Sequence, residues 1–393
     1  MNLILFDDHA WEDLLPLTFT KPISKLRVGI LTIEEKWEKR TGLKASWLTR
    51  PHLRTKYPLV AQKKNLLVNS MVLPDKELVN RIINLSDGQV LVQDGRLLSA
   101  NLSGDHLENF KPADWIEYGI IYSQNIRTID VPWKIFSLNG EEIAADMSLI
   151  TEGRSSGTLS KTVNAIHPEN IFVEEGFKGE YITINASSGP VYLGKDSEIM
   201  EGSVIRGAFA LCEDSSVKLS AKIYGPTTIG PHCKAGGEIN NSVLQAYSNK
   251  GHDGFLGNAV IGEWCNLGAD TNNSNLKNNY TEVKVWSYPK NRFTKTGLQF
   301  CGLIMGDHSK CGINTMFNTG TVVGVSTNIF GSGFPRNFIP SFSWGGAQGM
   351  TDYRIDKALE TAKLVMARRN KELDSAEADI LKWVYDYTSK YRK

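Results

Sequence analysis

The run VYLGKDSEIMEGSVIRGAFALCEDSSVKLSAKIYGPTTIGPHCKA, residues 191–235, decides the fold. An aliphatic residue returns in it every six positions, at Leu193, Ile199, Ile205, Leu211, Val217, Ile223 and Ile229, and Ala235 continues the series with a smaller side chain. A helix repeats every 3.6 residues and an ordinary strand every 2, so neither produces this spacing. A hexapeptide of one short flat strand plus a turn does. Three such units close a triangular coil, and stacked coils bury the periodic side chain inside a narrow prism. Glycine follows at Gly194 and Gly230, where a corner favours a residue without a Cβ. The pattern predicts a left-handed parallel β-helix of hexapeptide repeats.

Two further series lie downstream: Phe255, Ile261 and Leu267, then Met305, Cys311, Phe317, Val323 and Ile329. The gaps between the series predict interruptions of the coil at residues 240–254 and 270–300, where loops leave the regular wall. Bare prism faces and ends are edge liabilities, and packing three prisms side by side covers them, so a homotrimer is expected. The run FPRNFIPSFSW, residues 334–344, is punctuated by proline and reads as the exit from the coil. Beyond it, 351–391 reads as two helices, with Asp374 or Ser375 as a cap and Ile380, Leu381 and Val384 as an apolar stripe.

Residues 1–155 have another texture. Short apolar runs (Leu3–Phe6, Leu66–Val68, Val90–Val92) alternate with helical stretches at Ile33–Arg40 and Asp75–Leu85, the pattern of a small α/β domain with a mostly parallel sheet. EGRSSG, residues 152–157, reads as a linker. The expected division is an α/β domain over 1–155, the coil over 156–345 and a helical tail over 346–393. The chain carries 44 basic and 43 acidic residues, so no charge excess points to nucleic acid or an anionic membrane as partner. The apolar N-terminal run is too short for a leader, and no stretch is long enough to span a bilayer. Five cysteines, an odd number with no CxxC pair, point to free thiols and a cytoplasmic protein, and no zinc-type metal site is expected.

His252 is the candidate catalytic residue. It sits in GHDGFLGNAVIGEWCNLGADT, residues 251–271, and histidine can exchange a proton near neutral pH. This segment resembles the acetyltransferase domain of the bifunctional N-acetylglucosamine-1-phosphate uridyltransferase/glucosamine-1-phosphate acetyltransferase family. The residues that carry the resemblance are Gly251-His252, Phe255-Leu256-Gly257, Ile261-Gly262 and Asn266-Leu267-Gly268-Ala269. The resemblance implies that His252 is the general base on a sugar amine. It also implies that acetyl-CoA lies along the outer wall between neighbouring subunits, and that main-chain N–H groups near Gly268 and Ala269 meet the developing oxyanion. Asn266, Asn279 and Tyr280 are the implied sugar-binding residues, and Lys250 is a further substrate-binding candidate, near the family's basic positions but out of register with them. Asp270 stands where that family has a second turn glycine, and Asn240 to Val243 stand where it has basic residues for the sugar phosphate. The expected acceptor is therefore an amino-sugar phosphate or related amine, not glucosamine 1-phosphate specifically.

The N-terminal part, through PLTFTKPISKLRVGILTIEEKWE at residues 16–38, is similar to the sugar nucleotidyltransferases. Lys21, Lys25 and Arg27 are the phosphate-binding candidates there. Two family features are missing: FDDHAWED replaces a Gly-rich phosphate loop, and Met71 stands where an Mg²⁺-binding acid is expected. Asp7 and Asp8 follow the first strand as metal ligands or as a capped strand end, and Mg²⁺ is expected only if nucleotidyl transfer occurs. Three functions follow: acyl transfer on the coil, nucleotidyl transfer with the coil as a trimerising scaffold, or sugar-nucleotide binding without catalysis.

Overall fold

The computed structural model describes residues 2–107 and 110–392. The chain forms two compact units. One holds the described residues up to Leu14, Thr20–Leu26 and Leu31–Val131; the other holds Leu15–Phe19, Arg27–Ile30 and the chain from Pro132 onward.

The first unit is built on a six-stranded sheet in the order Ala45–Leu48, Asn2–Phe6, Lys64–Asn69, Arg96–Ser103, Val90–Gln93, Ile120–Ile121. The first two pairings and the last are parallel, and Arg96–Ser103 runs antiparallel to both its neighbours. Ile4, Phe6, Leu67, Val90 and Ala100 form a core on this sheet. The helix Ile33–Thr41 begins with a capping box: Thr32 accepts from the Glu35 N–H, and Glu35 reaches back to the Thr32 N–H. Gly42, in the left-handed region, ends it. The helix buries Trp37, whose indole N–H donates to the Val72 carbonyl at 2.9 Å.

The second unit is the expected left-handed β-helix, and it extends beyond residues 191–235 on both sides. It begins at the strand Asn164–Ile166 and has three faces. The first runs from Asn164–Ile166 to Phe255–Gly257, the second from Ile171–Val173 to Phe338–Ile339, and the third from Lys178–Gly179 to Ser343–Gly346. Pairing within each face is parallel and keeps the inward column in register: Leu193, Leu211 and Ile229 on the second face, Ile199, Val217 and Ala235 on the third, Ile205 and Ile223 on the first. All are buried in one continuous cluster. Burial of each such side chain is worth about 1.5–3 kcal/mol, and stacking supplies it at every round.

Three expectations need correction. Residues 240–254 do not interrupt the coil: Val243–Leu244 and Asn249–Lys250 continue the second and third faces in register. The round from Ile229 to Leu244 is shorter than the one from Leu211 to Ile229, which breaks the period of six without breaking the wall. On the first face Leu256, not Phe255, takes the inward place beside Ile239. The exit segment also stays in the wall, since Phe338–Ile339 and Ser343–Gly346 add to the second and third faces. The later gap does hold an excursion, the antiparallel hairpin Lys284–Ser287 with Arg292–Lys295. The tail forms Ile355–Ala367 and Ser375–Tyr387, with Asp374 accepting from the Glu377 N–H at 2.7 Å as N-cap.

Within this unit Arg27–Ile30 docks on the coil. Gln245 accepts from the Arg27 N–H at 2.6 Å and donates to its carbonyl at 3.0 Å. Asn139, at the start of the helix Asn139–Thr151, accepts from the Gly29 N–H, and Asp146 on the same helix accepts from the Ile30 N–H, both at 2.8 Å. Gly29 has φ +78°, and a Cβ there would meet the Glu142 carbonyl oxygen at 2.7 Å, so only glycine fits.

Candidate functional site

His252 stands at the corner between the third-face strand Asn249–Lys250 and the first-face strand Phe255–Gly257. It is exposed, as is Asp253. Asp253 and Asp270 are placed at the same corner of successive rounds, because the Asp270 N–H donates to the Asp253 carbonyl at 3.0 Å. Ala269 precedes Asp270 there, and no described residue bonds its N–H. The Gly268 N–H is used by the coil itself, donating to the Cys311 carbonyl at 3.0 Å, which removes it from any oxyanion role. The corner therefore brings together one imidazole, two carboxylates and one open peptide N–H.

Lys250 lies directly beneath this corner and does not face a substrate. It is 1% exposed, and its ammonium donates to the carbonyls of Gly236 at 3.2 Å, Asp253 at 3.0 Å and His252. The sequence expectation that it grips a sugar is corrected: it is a buried brace for the His252 turn. Burial pushes it down to about 8, while Asp253 and Asp270 act in the opposite sense.

The other implied sugar ligands do not gather at His252. Asn266 is exposed on the third face and accepts from Asn249 at 3.4 Å. Asn279 accepts from the N–H and hydroxyl of Thr281, and Tyr280 beside it is 66% exposed, both on the excursion that follows Asn272–Asn273.

A groove that the sequence did not reveal lies where the third face meets the end of the helix Ile355–Ala367. Its volume is about 350 Å³, and Lys234, Lys310, Arg368 and Arg369 line it with Tyr247 and Trp264. These residues come from separate rounds of the coil and from the tail, so no local motif contains them.

In the first unit, the carboxyl ends of the three parallel strands carry Asp7 and Asp8, Thr49 and Arg50, and Asn69. The strand order changes direction there, the place where open α/β sheets bind ligands. Thr49 donates to Asp7 at 2.5 Å, Asn69 to Asp8 at 3.0 Å, and Arg50 to Glu12 at 2.7 Å. Burial raises Asp7 to about 6. Asp8 also caps the following turn by accepting from the Ala10 N–H at 2.8 Å. Both carboxylates are thus committed to the strand ends, and no cluster of three or more His, Cys, Asp or Glu suited to a metal ion occurs among the described residues. Of the phosphate candidates, Lys25 pairs with Glu34 at 2.8 Å beneath Trp47, Lys21 is 3% exposed, and Arg27 is 7% exposed with its guanidinium on the Ile30 carbonyl. Lys25 and Arg27 are therefore structural, which corrects the expectation of free phosphate ligands.

No helix among the described residues is long and apolar enough to cross a membrane. No curated protein matches the chain significantly. Among solved structures, a UDP-N-acetylglucosamine acyltransferase from Arabidopsis is 17% identical, covering 54% of this chain and 80% of its own, with a TM-score of 0.26. The corresponding enzyme from Bacteroides fragilis is 13% identical, covering 58% of this chain and 96% of its own, with a TM-score of 0.23. That from Campylobacter jejuni is also 13% identical, covering 57% and 95%, with a TM-score of 0.22. Residues 3–155 match the model of a family described as sugar nucleotidyl transferase.

Proposed function

We propose that this protein is a transferase acting on a sugar phosphate or sugar nucleotide, and that it moves an acetyl group from acetyl-CoA to an amine at the His252 corner. The family match over residues 3–155 supports the sugar-nucleotide part. The acyl-transfer part rests on one observation: an exposed imidazole on the coil wall with the open Ala269 N–H at the same corner, one round on. His252 takes the proton as the amine nitrogen bonds to the thioester carbonyl carbon. The Ala269 N–H meets the negative charge on the carbonyl oxygen. The carbon–sulfur bond then breaks, and the imidazolium returns the proton to the departing thiolate. Lys250 holds the turn, since its ammonium ties the His252 and Asp253 carbonyls to that of Gly236. A homotrimer, which would cover the flat faces of the prism, belongs to this reading.

The test is acetyl transfer assayed over a panel of amino-sugar phosphates, with His252→Ala beside the parent. Loss of about 10²-fold or more in kcat is expected for a general base. Full activity in the variant would remove the assignment.

A second reading is sugar-nucleotide binding at the first unit without chemistry. The polar strand ends at Asp7, Asp8, Arg50 and Asn69, at the carboxyl edge of the parallel strands, favour it. Thermal shifts with UTP and dTTP that do not depend on Mg²⁺, together with no acetyl transfer on any acceptor, would put this reading first.

A further inference from the structure

We infer that the groove between the third face of the coil and the end of the helix Ile355–Ala367 binds a nucleoside phosphate, with its phosphates among Lys234, Lys310, Arg368 and Arg369 and its base against the edge of the Tyr247–Trp264 stack. This site does not depend on the acyl-transfer reading.

The first support is charge. Four cations line the groove and no carboxylate does. Lys310 donates to the His308 carbonyl at 2.9 Å and Arg369 to Asn249 at 3.3 Å, both neutral acceptors. The side chains of Lys234 and Arg368 make no hydrogen bond or ion pair with any described residue. Burial depresses Lys234, and the nearby charges of Arg369, Lys218 and Arg368 depress it further. Like charges gathered this way destabilise the empty groove, and a multiply charged anion would relieve them.

The second support is the backbone. At the corner between the second and third faces each round places one residue in the left-handed region. Asp196, Asp214 and Ser326 hold that place at φ of 52°, 53° and 51°. Short polar side chains and histidine tolerate it; larger ones seldom adopt it. The last round puts Phe342 there at 58°, and four successive earlier rounds put His232, Tyr247, Trp264 and His308 there, at φ of 57°, 54°, 61° and 61°. Their rings stack in a ladder, with Tyr247 and Trp264 only 4.1 Å apart and 9° from parallel. Burial raises Tyr247, and Glu263, Glu213 and Asp214 act in the same sense against Arg369, but none of these carboxylates lines the groove.

The third support is size. A cavity of about 350 Å³ exceeds what one inorganic phosphate fills and falls within the range of small-ligand pockets.

The probes are ADP, pyrophosphate, adenosine and CoA, titrated calorimetrically into the full-length chain. ADP is expected to bind more tightly than pyrophosphate and than adenosine. Arg369→Ala and Lys234→Ala are each expected to weaken ADP about tenfold, as loss of one charge-assisted contact does. Lys178→Ala, earlier on the same face, and His252→Ala are expected to leave ADP binding unchanged, which separates this site from the acyl-transfer corner. CoA binding more tightly than ADP would identify the nucleotide end of CoA as the ligand, and equal affinity a free nucleotide; both support the site. Absence of ADP binding, pyrophosphate binding as tightly as ADP, or insensitivity to both Arg369→Ala and Lys234→Ala would overturn the proposal.

Discussion

Lys250 lies directly across from Ala235 on the neighbouring strand, at the position that points into the prism. The column otherwise holds Ile199, Val217, Leu267, Cys311 and Ile329. A charged stem thus replaces an aliphatic one at a single level, and a small residue at 235 suits a long one at 250. The ammonium reaches the carbonyls at the turn that bears His252.

A pH dependence follows. Below pH about 8 the lysine is charged in folded and unfolded chains alike, so the cost of its burial is felt in full. Between there and its ordinary value, the folded chain has released a proton that the unfolded chain keeps, so stability rises with pH. Lys250→Met removes the titration. Parent stability relative to this variant is expected to rise by about 2–3 kcal/mol between pH of about 7.5 and about 10.5. Urea unfolding at several pH values measures it, and a flat difference would refute it.

Asp7 behaves in the opposite sense. Its value is raised from 3.8 to about 6, chiefly by burial. From pH 3.8 to about 6 the folded chain holds a proton that the unfolded chain has lost, so stability falls as pH rises through that window. Asp7→Asn is expected to stabilise the first unit by about 1–3 kcal/mol at neutral pH, with the gain fading toward pH of about 4. Calorimetric unfolding checks this. A buried carboxylate kept at such a cost is itself a functional candidate.

The inward columns make a mutational contrast. Ile239 is fully buried on the first face, whereas Val204, next to the inward Ile205, is 48% exposed. Ile239→Ala is expected to cost about 2–5 kcal/mol and Val204→Ala less than about 0.5 kcal/mol, measured by denaturant titration.

Gln245 secures both backbone groups of Arg27. Gln245→Ala would remove both of these buried hydrogen bonds, at about 0.5–1.5 kcal/mol each. The expected signature is faster amide hydrogen exchange at Arg27 through Ile30, read by mass spectrometry, with the first-face strands unchanged.

These sites also show where the sequence was legible. The hexad series was plain because each of Leu193 to Ile229 fills the same kind of place, so period and burial coincide. The reading slipped where a round shortens: between Ile229 and Leu244 the spacing changes while the hydrogen-bonded register continues, and spacing alone cannot tell a short round from a break. His252 was singled out by its local motif, and its exposed place at a coil corner is what the structure adds. Lys250 was not legible, because a lysine inside a prism looks in sequence like a lysine on its wall. The cations of the groove were also hidden, since Lys234, Lys310 and Arg369 meet only when three distant stretches of chain fold together. Lys25 and Arg27 looked like phosphate ligands by type; Glu34 and the Ile30 carbonyl, close along the chain, already hold them.

The larger unit includes Leu15–Phe19 and Arg27–Ile30, two pieces synthesised long before the coil. A fragment starting at residue 132 would therefore emerge with Gln245, Asn139 and Asp146 stripped of the peptide groups they hold. Dissection of the two halves is better attempted by supplying residues 15–30 in trans as a peptide than by a single cut, and recovery of solubility on its addition would report how far the coil relies on its own leading segment.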